Sequence, residues 1–136
     1  MKIFYDDCWV YYVCDDYVVG DRLKNGKWMY FFDDRKFVEK ICKMAIKQKI
    51  VKSLKFSNDE KGVVCFYMNG EDVLSHKRVL AFFLSNDLIR HRKNGNLYNV
   101  AFKFDHQTRS DEYGENFKAQ ITLSQFVDLA TGEFKI

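Results

Sequence analysis

The densest group of side chains able to do chemistry is the run Lys103-Phe104-Asp105-His106-Gln107-Thr108-Arg109, followed by Tyr113-Gly114. Side chains alternate along a strand, so Lys103 and Asp105 would share one side of it, with Thr108 and Arg109 arriving from the loop beyond the strand end. A lysine, an arginine fork, a hydroxyl and a carboxylate together make a cradle for a phosphate and the ribose or base edge that carries it. The alternative is an ordinary cross-strand ion pair between Lys103 and Asp105, followed by a plain polar loop. Trp9 and Trp28 could add stacking, worth about 1 to 3 kcal/mol per base. The neighbours of Trp28, Met29 to Phe32, also read as core.

Other chemistry finds no support in the residues. There is no Gly-rich phosphate loop, no G-x-S-x-G elbow, no HExxH and no EF-hand pattern. Cys8, Cys14, Cys42 and Cys65 match neither metal-pair nor disulfide-framework spacing, and His76, His91 and His106 stand too far apart to complete a local zinc cluster. No metal, no cofactor and no catalytic residue is assigned. His76 is expected on a helix facing solvent and His91 in a basic turn.

The elements that must position the cluster are legible in outline. The chain has 136 residues, 47% of them hydrophobic and 17% aromatic, enough for one domain over 1–136 with a real core. CWVYYVC (8–14) and KWMYFF (27–32), the latter after the turn signal Lys24-Asn25-Gly26, read as a hairpin or as neighbouring strands. Asp33 or Asp34 can cap a helix over 35–48, with Phe37, Ile41, Met44, Ala45 and Gln48 on one stripe. Lys36, Lys40, Lys43 and Lys47 form a second stripe on that helix, best read as its solvated face.

IVKSLKF (50–56) and GVVCFYM (62–68) flank a polar loop as a hairpin would. A second helix over 71–85 lines up Val73, Lys77, Leu80 and Leu84, with Val79 and Phe83 beside them. Strands over 97–104 and 117–123 follow, and the tail could add a short edge strand. The order ββ-α-ββ-α-ββ predicts an α+β fold: a curved antiparallel sheet of about six strands with two main helices packed on one face. The other face is left concave or solvated, and a ligand could sit there.

The run GKWMYFF (26–32), the helix after it, the strand with Lys55, the strand GVVCFY (62–67) and the cluster KFDHQTRSDEYG (103–114) resemble a known family. Its members are labelled phosphothreonine-lyase-domain proteins and include a basophilic-leukaemia-expressed protein of vertebrates. The resemblance rests on a GKW strand, a lysine on a middle strand, a Cys-x-Tyr strand and a K-x-D-x-x-T-R-x-x-x-Y signature. It implies a fold like that of the cap-binding translation initiation factor, with ligand-binding positions at Trp9, Gly26, Lys27, Trp28, Lys55, Lys103, Asp105, Thr108, Arg109 and Tyr113. A lyase would need a base for the α-proton and an acid for the leaving oxygen, and His106 is the histidine beside the cluster.

The net charge of +3 is far below that of a duplex nucleic-acid binder. Neither a secretory leader nor an apolar run near the roughly 20 residues of a membrane span is present, so the expected location is cytoplasmic, or host-cytoplasmic for a viral protein. The expected partner is a small anionic ligand, a nucleotide or phosphorylated group, bound without chemistry; sequestration of a cyclic oligonucleotide messenger in phage–bacterium conflict is one such role. The alternatives are a phosphothreonine-lyase-like enzyme and a protein-interaction module inhibiting a nucleic-acid-binding enzyme. A homodimer is expected if the aromatic amino-terminal strand is an exposed edge.

Overall fold

The computed structural model describes residues 1–21, 23–109 and 119–135. Asp34 accepts a hydrogen bond from the Phe37 N–H at 3.2 Å and starts helix α1 (Arg35–Lys47), and Asp72 does the same for helix α2 (Val73–Ser85) through Ser75. Each satisfies an N–H that the first helical turn leaves without a partner. Around them stand β1 (Lys2–Tyr5), β2 (Trp9–Val13), β3 (Asn25–Phe32), β4 (Ser53–Ser57), β5 (Gly62–Asn69), β6 (Ala101–Phe104) and β7 (Ile121–Thr122). They form one open antiparallel sheet in the order β1-β2-β4-β5-β3-β6-β7, so the fold is α+β with helices on a single antiparallel sheet. Among the described residues no helix is long and apolar enough to cross a membrane.

One expectation about neighbours is corrected. β2 and β3 are not a hairpin: β4 and β5 stand between them. The turn before β3 is built by Asp21, whose carboxylate takes the Leu23 N–H and whose carbonyl takes those of Lys24 and Asn25. Asn25-Gly26, read as a turn signal, instead opens the strand itself. β2 is also not an edge, because residues 2–5, too short a run to register as a strand by pattern, pair along it as β1.

The core lies between the helices and one face of the sheet. Val10, Tyr12, Trp28, Phe32, Leu54, Phe56, Val64, Phe66, Phe102 and Phe104 point into it from the strands. From α1 come Val38, Ile41, Cys42, Ala45 and Ile46, so the buried stripe is rotated from the expected one, with Phe37 and Gln48 left outside. From α2 come His76, Val79, Leu80, Phe82 and Phe83, while Val73 and Lys77 are exposed. The stripe Lys36, Lys40, Lys43 and Lys47 is solvent-exposed.

His76 is 1% exposed, not on the surface. Its Nδ1 accepts the indole N–H of Trp28 at 3.0 Å and its Nε2 lies 2.8 Å from the Gly70 carbonyl, which fixes the neutral ring with the proton on Nε2. The rings of Trp28, Phe102 and Phe126 surround it. Burial pushes its pKa below the ordinary value, against the pull of the Gly70 carbonyl and Asp72. The folded protein therefore refuses a proton that the unfolded chain takes up near pH 6.5, so this contribution is complete above that pH and declines as pH falls through it toward the folded pKa. Urea midpoints should drop between pH 7.5 and 5.5, less so in His76→Gln, whose amide can make both bonds and does not titrate. Equal pH slopes in the two proteins would refute this role.

Candidate functional site on the open face of the sheet

Alternation along each strand sends a second set of side chains to the face that the helices do not cover. On β3, Trp28 and Phe32 face the helices and Lys27 faces the other way; on β5, Phe66 faces the helices, and Cys65 and Tyr67 the open side. The register then aligns two rows across the sheet. One runs Tyr11, Lys55, Cys65 over β2, β4 and β5, and the other runs Tyr67, Lys27, Lys103 over β5, β3 and β6. Cys65 and Tyr67, two residues apart on β5, set the two rows side by side.

Lys27 and Lys103 are directly opposed and only 8% and 7% exposed. Two ammonium groups on opposed positions repel each other, and Asp105 answers this for Lys27, whose Nζ lies 2.9 Å from the carboxylate. Asp105 does not extend the strand, as expected, but begins a short helix, α3 (Asp105–Arg109). The fully buried Gln107 fastens that bend by accepting the Phe104 N–H at 3.1 Å. The chain reversal is what lets Asp105 reach Lys27, a residue 78 positions away, in place of Lys103.

Lys55 sits with its Nζ 3.9 Å above the ring of Trp9, a cation–π contact that holds the ammonium over the open face. Burial raises the pKa of Cys65, opposed by Lys55 and Lys27. Burial also pushes Tyr67 far above its ordinary value, followed by Cys65 and Asp105. Both groups therefore keep their protons at neutral pH and can offer hydrogen bonds.

Above this floor is a cavity of about 390 Å³ lined by Tyr11, Tyr17, Val19, Ser53, Lys55, Tyr67 and Asp105 among others. A second hollow of about 350 Å³ shares Tyr17, Asn25, Ser53 and Tyr67 with it and adds Lys49, Lys52 and Arg78 near the end of the sheet. Both volumes fall in the range of small-molecule sites.

Of the residues singled out from sequence, Lys27, Lys55, Lys103, Asp105 and Trp9 share the open face. Trp28 does not: it is wholly buried on the helix side, and its indole is no stacking surface. Thr108 and Arg109 close α3, but their side chains, like Tyr113, lie outside the described residues. His106 stacks on Phe104 with ring centres 5.2 Å apart. Tyr11, Tyr17, Tyr67 and Arg78 were missed. Alternation within CWVYYVC and GVVCFYM fixes which residues share a face with Tyr11 and with Tyr67, but only the pairing of β2, β4 and β5 brings those faces to Lys55; Tyr17 and Arg78 carry no such signal. No family model matches this chain, and neither does any curated protein or solved structure.

Proposed function

We propose that the open face of the sheet binds a small anionic ligand of nucleotide type, without chemistry, in a cytoplasmic protein. The observation that carries this reading is Lys55 in the wall of the 390 Å³ cavity, with Tyr11, Tyr17 and Tyr67 around the same space and the Lys27–Asp105 pair at its edge. Lysine supplies a point charge for phosphate, tyrosine rings supply flat surface for a base, and Asp105 can accept from a hydroxyl or amine. The adjoining hollow, with Lys49, Lys52 and Arg78, offers a second place for negative charge. A ligand with phosphates separated by sugars and bases, as in a cyclic oligonucleotide messenger, suits this layout. Binding is favoured over lyase chemistry because Lys27 is committed as a cation to Asp105, and Cys65 and Tyr67 hold their protons. These groups can stabilise negative charge but provide no base for an α-proton.

Calorimetric titration with orthophosphate and a panel of linear and cyclic nucleotides should give saturable binding by at least one nucleotide. Lys55→Glu should weaken it more than about tenfold, the scale expected when a contacting charge is reversed, and Trp9 fluorescence should respond because Lys55 rests on that ring. A flat response to every compound would overturn the reading. Loss of phosphoric acid from a phosphothreonine peptide on incubation would replace it with the lyase.

A further inference from the structure

β1 is an edge of the sheet, and all four of its residues are exposed, with Ile3 at 47%, Phe4 at 55% and Tyr5 at 78%. Large apolar side chains on an unpaired strand edge invite another strand. The pairing with β2 shows which backbone groups remain available there. The Asp6 N–H donates to the Trp9 carbonyl at 2.9 Å, and the register continues through Phe4 with Tyr11 and Lys2 with Val13. Hydrogen-bonding direction alternates along an antiparallel strand. Lys2, Phe4 and Asp6 therefore turn their backbone groups toward β2, and Ile3 and Tyr5 turn theirs outward.

We propose that the chain forms a two-fold homodimer in which β1 pairs antiparallel with β1 of a second copy, Phe4 opposite Phe4. In this register Ile3 of each copy faces Tyr5 of the other, so the outward N–H and C=O groups of both residues bond across the axis. Lys2 of each copy then stands opposite Asp6 of the other, on the same face of the joined sheet. Asp6 is already held in place, its carboxylate accepting the N–H groups of Cys8 and Trp9 at 2.8 and 2.7 Å. Sliding the pair by two residues keeps the bonding parity but sets Phe4 against Lys2 in one direction and against Asp6 in the other. The sequence is thus self-complementary in one register, as a two-fold interface requires, and two seven-stranded sheets become one.

Light scattering coupled to size exclusion should give twice the 16.2 kDa mass of one chain. Tyr5→Pro removes an outward N–H while sparing the bonds to β2, as proline at a strand edge does, and should return the mass to that of a single chain. Lys2→Glu should weaken the dimer more than about tenfold by placing like charges across the axis. Amide exchange gives a readout independent of either variant: the Ile3 and Tyr5 N–H groups should become protected as concentration rises. A single-chain mass for the wild type at every concentration overturns the proposal. So does a dimer that both variants leave intact, or fast exchange at Ile3 and Tyr5 in the dimer.

Discussion

Trp28→Ala is expected to lower the free energy of unfolding by about 3 to 5 kcal/mol for the lost ring and the cavity left behind. A further 1 to 3 kcal/mol or so should follow because the buried Nδ1 of His76 loses its donor. The indole is wholly buried, edge-on to His76 and Phe102 at 5.7 and 5.6 Å, and it ties β3 to α2 through the one bond of 3.0 Å. Against a total of roughly 5 to 15 kcal/mol for a domain, this is enough to leave the variant unfolded or nearly so at room temperature. Urea unfolding followed by circular dichroism measures it. Trp28→Phe should fall in between, since it keeps most of the volume and loses the bond. A cost under about 1 kcal/mol for Trp28→Ala would contradict so central a place in the core.

Gly26→Ala should be the next most damaging change, although it adds only a methyl group. A Cβ at this position would stand 2.6 Å from the Lys103 carbonyl oxygen and 2.5 Å from the Phe102 ring. The ring could turn aside, but the carbonyl belongs to β6 and cannot move without parting β6 from β3, where Gly26 pairs with Phe104. Overpacking of this kind costs about 1 to 3 kcal/mol. It should also loosen the site, because Lys103 rides on β6 and Asp105 follows it directly. The check is a lowered urea midpoint together with faster amide exchange in β6. Stability equal to the wild type would mean that the two strands do not approach as closely as described.

Gly26 also explains why the sheet order escaped a reading by pattern. A glycine after asparagine between two aromatic runs has the composition of a hairpin turn, yet here its missing side chain serves a close approach of strands. Nothing local distinguishes the two uses. The same holds for His76: its place on α2 is legible from the helix period, but its burial depends on Trp28 and Gly70 arriving from other elements. Alternation with period two, by contrast, was enough to separate the two faces of a single strand and so to single out Lys103, whereas Lys27 and Lys55 entered only through the family resemblance. The rotated stripe of α1 lies between these cases, since Phe37 and Val38 are both apolar and only the packing partner chooses between them.

Sequence by itself determined the two main helices and the strands from β2 to β5 within a few residues, because caps, periodicities of two and 3.6, and strand-forming side chains act over a few residues; β1 and α3 escaped it, and β6 and β7 are shorter than their patterns. It also placed Lys103 and Asp105 close together in the chain at the end of the strand closing with Phe104. Tertiary structure alone decided which strands are neighbours, which face the helices cover, and that Asp105 answers Lys27. These choices join residues far apart in the chain, where the free energy lies in burial and in register across the sheet. Local preference is silent on such pairings, so the same segments are compatible with several sheet orders until the core is packed.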